Sequence, residues 1–202
     1  MSVRLPRIAL SGAPCTGKTT ALQMLKDRFR DQVRVVPEIA SFVFDAELFP
    51  PPNESEDHRF VEAISSMRMA LEDMADVQRT RRPELQAVIV DRAVHDAAAY
   101  LDGGIHELAE ALNQPVPTLH ERYDLVLYFT VPARHILEFY WKTKSYRIDD
   151  IAIVDDLDRK TRATWVGHPN LIEVPAAMMW EERCDIIAHH VRHFIARCQG
   201  II

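Results

Sequence analysis

The sequence has few cysteines, no excess of positive charge and no long apolar run, and each absence excludes a class of protein. Its three cysteines, Cys15, Cys184 and Cys198, form neither a CxxC pair nor a Cys/His spacing typical of metal sites. Their odd number and scatter fit a reducing compartment better than a disulfide framework. The formal net charge of −6 argues against binding a polyanion such as DNA, so we expect no nucleic-acid partner.

Apolar residues are plentiful but broken into short runs. They make up 48% of the 202 residues, yet no run approaches the roughly 18 residues of a membrane-spanning helix. The apolar run near the N-terminus is also too short for a signal peptide. We therefore expect a cytoplasmic protein without a membrane segment, in which one domain covers residues 1–202. Composition leaves the oligomeric state open.

The short apolar runs alternate with longer helical patterns. This alternation predicts an α/β fold in three layers, a parallel sheet with helices on both faces. Strands are predicted at 7–10, 33–36, 87–91, 124–131 and 170–174, and helices at 18–30, 57–80 and 179–198. In the helix at 57–80, apolar residues at spacings of three and four predict the buried face. These residues are Phe60, Ile64, Met67, Leu71 and Met74.

The segment GAPCTGKT at 12–19 matches the phosphate-binding pattern G-x-x-x-x-G-K-[ST] in full, between a predicted strand and a predicted helix. Gly12 and Gly17 let successive backbone N–H groups turn towards the phosphates of a nucleotide, and the helix N-terminus adds positive potential. The Lys18 ammonium can reach the β- and γ-phosphates, and the Thr19 hydroxyl can ligate Mg²⁺. The predicted nucleotide-binding set is Gly12, Ala13, Pro14, Cys15, Thr16, Gly17, Lys18, Thr19 and Thr20.

Two acidic residues are predicted to share the edge of the sheet with this loop. Asp91 ends the third strand, where P-loop proteins hold Mg²⁺ through a carboxylate. Arg92 follows it, whereas motor-type ATPases generally have a water-activating Glu there; the guanine motif N-K-x-D of GTPases is also absent from the sequence. Glu38 follows the second strand and can orient or deprotonate an acceptor hydroxyl. The alternative for Glu38 is a solvated loop side chain or a charge at a helix N-terminus.

The segment DRAVHDAAAY adds three polar residues at helical spacing. If a helix begins soon after Asp91, then Arg92, Asp96 and Tyr100 lie on one face and can bind a polar substrate. The alternative is an intrahelical Arg–Asp pair beside a half-buried tyrosine.

Four segments together resemble a known family: SGAPCTGKTT, VVPEIAS, DRAVHDAAAY and YRIDD…TWVGHPNLIEVP. They are similar to the P-loop, kinase-like, AAA-type ATP/GTP-binding domains that include the ribosylnicotinamide kinase domain of the bacterial NAD-biosynthesis regulator. Glu38 and Asp91-Arg92 also look like the general base and arginine of deoxyribonucleoside kinases. The resemblance implies a kinase-like fold that binds Mg²⁺ with ATP or GTP. It does not imply a particular acceptor.

The most basic part of the chain, at about 134–150, is a candidate lid over the nucleotide. Arg147 matches an arginine that the family places here, although the preceding Asp-Gly of the family is missing. An arginine that closes over the transferring phosphate stabilises its developing charge, so Arg147 joins Lys18 and Glu38 as a predicted catalytic residue. Arg134, Lys142 and Lys144 are further lid candidates, or else part of a basic surface helix.

These observations predict a Mg²⁺-dependent phosphotransferase that uses ATP or GTP and a small hydroxyl-bearing, nucleoside-like acceptor. A nucleotide-dependent switch or a slow NTPase without an acceptor is the alternative. Nothing in the sequence distinguishes adenine from guanine or identifies the acceptor.

Overall fold

The central feature of the protein is a parallel sheet, seen in a computed structural model that describes residues 4–47, 58–134, 136 and 153–201. Its strands are β1 (Arg7–Ser11), β2 (Val33–Val36), β3 (Ala87–Asp91), β4 (Leu125–Phe129) and β5 (Leu171–Val174). They pair in the order β2-β3-β1-β4-β5, and every pair is parallel. The predicted three-layer α/β architecture is therefore confirmed, and it is that of a P-loop NTPase fold.

Helices cover both faces of the sheet, because strands buried on both sides leave two apolar surfaces to cover. One face packs against α1 (Lys18–Phe29) and α8 (Trp180–Cys198), through residues such as Leu25 and Ile187. The opposite face packs against α2 (Ile39–Asp45), α3 (His58–Gln78), α4 (Val94–Ala98), α5 (Gly104–Ala111) and α6 (Val116–His120). Helix α7 (Val154–Ala163) lies beside α4. No helix among the described residues has both the length and the apolarity to cross a bilayer.

The order of the strands determines where a ligand can bind. β1 lies at the centre of the sheet: β2 and β3 lie on one side of it, and β4 and β5 lie on the other. The direction in which strands are added therefore reverses at β1. In open α/β sheets, ligands bind at the carboxyl ends of the strands where this reversal occurs. The segments that follow β1, β2 and β3 meet at this edge.

The buried face of α3 differs from the predicted one. Met67, Leu71 and Met74 were expected in the core, but their exposed fractions are 38%, 38% and 56%. The face turned towards the sheet instead consists of Val61, Ile64, Ser65, Arg68, Glu72 and Ala75. The prediction is confirmed for Ile64, and Phe60 packs partly buried against the core, but it was wrong for Met67, Leu71 and Met74. Half of the buried side chains are polar, so hydrophobic periodicity could not find this face.

The polar residues of α3 are buried because other elements supply their partners. Glu72 accepts hydrogen bonds from Arg122 at 2.9 Å and from the Tyr123 hydroxyl at 2.9 Å, and Arg7 of β1 lies 3.5 Å away. Arg68 donates to backbone carbonyls at the end of β3. Charged side chains are tolerated in a core when they are paired in this way. None of these partners is near α3 in the sequence.

Candidate nucleotide-binding site

The predicted phosphate loop lies between β1 and α1, at the carboxyl edge of the sheet. Gly12 has φ +130°, and a Cβ at this position would lie 2.4 Å from the Phe129 carbonyl oxygen. Gly17 has φ +97°, and its Cβ would lie 3.1 Å from the Trp180 ring. Backbone conformation and close approach therefore both require glycine at Gly12, and the left-handed φ favours it at Gly17.

Lys18 is the buried cation of the loop, only 5% exposed. Its ammonium donates to the carbonyls of Gly12 at 2.8 Å and Ala13 at 2.6 Å, and to the Thr16 hydroxyl at 3.2 Å. Burial, helped by the nearby positive charge of Arg92, lowers the pKa of Lys18 to about 8. Asp91, Asp96 and Glu38 oppose this shift only in part, and a triphosphate would add negative charge directly against the ammonium.

Thr19 and Asp91, the two predicted metal ligands, lie side by side. The Thr19 hydroxyl donates to the Asp91 carboxylate at 2.6 Å. Burial, together with the negative charge of Glu38, raises the pKa of Asp91. A hydroxyl and a buried carboxylate are hard oxygen ligands of the kind that Mg²⁺ prefers, and a cation here would offset the cost of burying the carboxylate. The pair therefore fits a magnesium ion.

Glu38 and Arg92 form a second charged pair at the same edge. The Arg92 guanidinium donates to one Glu38 carboxylate oxygen, and the Ser41 hydroxyl donates to the other at 2.6 Å. Burial alone would raise the pKa of Glu38, but Arg92, Ser41 and Lys18 outweigh it, and the pKa falls to about 2. Glu38 is therefore ionised at neutral pH, whereas the same pairing raises the pKa of Arg92.

The predicted helical face of Arg92, Asp96 and Tyr100 does not form. Arg92 precedes α4 and has φ +64°, and the five-residue helix ends at Ala98, before Tyr100. Arg92 and Asp96 still approach within 3.7 Å. Tyr100 is partly buried against the core, and its hydroxyl lies within the electrostatic reach of Arg92.

Asp96 is directed at the phosphate loop. Its carboxylate accepts hydrogen bonds from the Ser11 hydroxyl at 3.0 Å, the Gly12 N–H at 3.2 Å and the Ala93 N–H at 2.9 Å. The side chain is 2% exposed. These contacts make Asp96 an anchor for the start of the loop.

Two arginines that hold this site together could not be singled out from the sequence. Arg68 of α3 is 3% exposed and donates to the carbonyl of Asp91 at 2.7 Å and to that of Arg92. Arg183 of α8 donates to the Thr16 carbonyl at 3.0 Å and lies over the Trp180 ring. The periodicity of the helix predicted an exposed position for Arg68, and nothing local marks Arg183.

The remaining predicted residues are located as follows. Pro14 is buried, Cys15 is partly exposed with φ +61°, and Thr20 is exposed on the first turn of α1. Arg134 is exposed and lies beyond the end of β4. Arg147, Lys142 and Lys144, together with most of the candidate lid at about 134–150, lie outside the described residues.

Comparison with known families agrees with this geometry. A family model described as an AAA domain matches residues 7–183. The chain belongs to this AAA-domain family. The matched residues extend from the start of β1 to Arg183 in α8. P-loop NTPase domains of this type generally bind a nucleotide with Mg²⁺. No curated protein matches the chain.

Proposed function

We propose that this AAA domain is a magnesium-dependent phosphotransferase that moves the γ-phosphate of ATP or GTP to the hydroxyl of a small acceptor. The observation that carries the proposal is the adjacency of two charged sites. The Thr19–Asp91 pair suits Mg²⁺, and Arg92, the next residue after Asp91, pairs with Glu38. A nucleotide switch needs the first site but has no use for a carboxylate held beside it.

The phosphate loop would bind the nucleotide through residues 12–20. Lys18 would exchange its carbonyl contacts for phosphate oxygens, and Thr19 and Asp91 would hold Mg²⁺. When bound, the ion neutralises charge on the β- and γ-phosphates. Arg92 is within 3.4 Å of the Gly12 carbonyl, so its positive charge already lies beside the loop. Arg147 remains our candidate for the lid arginine.

Glu38 would bind the acceptor. Because its pKa is about 2, it is a carboxylate at neutral pH and can accept a hydrogen bond from the acceptor hydroxyl. Such a weak base orients the hydroxyl more than it deprotonates it, which suits a loose transition state in which little proton transfer is needed early. The acceptor oxygen then bonds to phosphorus, the bond from phosphorus to the β–γ bridging oxygen breaks, and the proton leaves through Glu38.

The absence of a carboxylate after Asp91 favours transfer over hydrolysis. Arg92 occupies the position at which motor-type ATPases carry the water-activating Glu. Of the other carboxylates near the loop, Asp96 is engaged by Ser11, Gly12 and Ala93, and Glu38 is the one that we assign to the acceptor hydroxyl. We therefore expect turnover to depend on an acceptor, with a nucleoside-like alcohol as the first class to try.

The test is ³¹P NMR of the protein with Mg-ATP or Mg-GTP, with and without a pooled panel of nucleosides and other small alcohols. We expect a new phosphomonoester signal that disappears in Lys18→Ala and falls at least tenfold in Glu38→Gln. Lys26→Ala on the exposed side of α1 and Glu110→Gln on α5 are matched controls that should keep the signal. Testing the nucleosides and the other alcohols of the panel separately then shows which class contains the acceptor.

Two other results would point away from a kinase. Inorganic phosphate as the sole product, unaffected by the panel and by Glu38→Gln, would indicate a hydrolase. Nucleotide binding without any turnover would indicate a switch in which the loop senses nucleotide occupancy.

A further inference from the structure

The outer face of α3 carries an uncharged stripe. Its members are exposed residues that share one side of the helix, opposite Arg68 and Glu72. They are Ala63, Ser66, Met67, Ala70, Leu71, Met74 and Val77, which we call the α3 stripe. Met74 is 56% and Val77 69% exposed, and both project away from the sheet.

Such a surface is unusual for a monomer. Single exposed apolar residues are common, but contiguous ones on one face mark interaction sites. Ala63, Met67, Ala70, Met74 and Val77 are separated by four, three, four and three residues. This is the spacing by which one helix packs along another. The α3 stripe therefore has the residue spacing of a surface that packs against another helix.

We propose that the α3 stripe is the interface of a homodimer, in which the α3 helices of two copies pack antiparallel about a twofold axis near Ser66 and Met67. Positions whose numbers add up to about 133 then face each other. Ala63 faces Ala70 of the second copy, and Ser66 faces its Met67. Small residues opposite small ones let the helices approach closely, and Met67 lies beside a small side chain, whereas Met74 lies beside the aliphatic part of Arg59.

Charge complementarity favours a second copy over an unrelated partner. The same register brings Arg59, exposed near the start of α3, opposite Asp73 of the second copy, and the symmetry repeats this pair at the other end. The Asp73 side chain is 58% exposed although it also accepts from Arg7 and Arg122. Opposite charges therefore flank the uncharged centre at both ends, which sets both orientation and register.

The size of the contact predicts how tightly the copies bind. One helix from each protomer buries less than the roughly 1,200–2,000 Å² of a standard stable interface. We therefore expect a dimer that dissociates on dilution within the micromolar range. The proposal does not depend on the kinase activity, because the stripe and the nucleotide site lie on different surfaces of the chain.

The test is sedimentation velocity of the full chain over a series of protein concentrations. The expected mass changes from 23.2 kDa in dilute solution to twice that value in concentrated solution. Ala70→Glu, at an exposed position, should keep the protein monomeric at every concentration without changing its circular dichroism or nucleotide binding. Glu110→Ala on α5 is the control that should leave the dimer intact.

Disulfide trapping tests the register separately. Ala63→Cys combined with Ala70→Cys should give a covalent dimer on mild oxidation, because the two positions face each other across the axis. They are about 10 Å apart within one helix, too far for a disulfide inside one chain. Glu110→Cys should not be trapped.

Two results would overturn the proposal. One is a monomer at all concentrations; if Met67 and Met74 also resist peroxide in that monomer, another part of the same chain covers the stripe. The other is a dimer that Ala70→Glu leaves intact, since its interface would then lie elsewhere.

Discussion

Replacement of Asp96 by Asn distinguishes two roles for a residue that the sequence placed in the acceptor pocket. One carboxylate oxygen accepts from Gly12 N–H, and the other accepts from Ser11 and Ala93. Asn keeps the shape but presents an NH₂ group to one of these sets of donors. At least one buried backbone N–H then loses its acceptor, which costs about 1–3 kcal/mol, and the remaining bonds lose their charge assistance.

The total cost should be about 3 kcal/mol, which for a chain of this size lowers Tm by roughly 6–12 °C. Because the lost contacts hold the first residue of the phosphate loop, we also expect nucleotide affinity to fall about tenfold, or about 1.4 kcal/mol. Thermal unfolding followed by circular dichroism and titration with a fluorescent nucleotide measure the two effects. Asp102→Asn, the same change at an exposed position, should change neither by more than about 0.5 kcal/mol.

The reasoning is refuted if Asp96→Asn has the Tm and nucleotide affinity of the unmodified protein and raises only the KM of the acceptor. Asp96 would then belong to the acceptor pocket, as its spacing in the sequence suggested.

Three further predictions concern the loop and its supports. Gly12→Ala should abolish nucleotide binding and destabilise the fold by about 3 kcal/mol, because its Cβ would lie 2.4 Å from the Phe129 carbonyl oxygen. Gly104→Ala is the control: Gly104 has φ +59° but open space around it, so the change should cost only about 1 kcal/mol. Thermal unfolding measures both costs, and equal values would contradict the prediction. Since the Lys18 pKa is about 8 in the free protein, triphosphate binding above pH 8 should restore the charged form and take up a proton, so affinity should fall as pH rises further. Calorimetry in two buffers of different ionisation enthalpy measures the uptake, and identical heats would exclude it. Arg68→Met should raise the Mg²⁺ concentration needed for half-maximal nucleotide binding about tenfold. It removes the donor that holds the backbone carbonyls of Asp91 and Arg92, and Asp91 is our proposed metal ligand. A lower Tm with unchanged Mg²⁺ dependence would limit Arg68 to a structural role.

Local sequence patterns were sufficient to predict the positions of the phosphate loop and of the five strands. A run such as AVIVD at 87–91 can be buried on both faces only in the centre of a sheet, and it forms β3 at those residues. The glycines, Lys18 and Thr19 form one site because they lie within eight consecutive residues. Glu38 and Asp91 reach the same edge because Asp91 ends β3, Glu38 lies two residues after β2, and the two strands are parallel neighbours.

Contacts between distant segments decided the rest. The pattern along α3 marks an apolar stripe but carries no information about which face other elements will cover. Arg7 and Arg122 meet Glu72 only after β1 and the segment before β4 pack against α3, and this pairing makes the polar face the buried one. Asp96 likewise binds a loop more than 80 residues away, because β1 and β3 are neighbours in the sheet. A one-dimensional pattern reports what each residue prefers, whereas the partner that satisfies a buried charge is supplied by the tertiary fold.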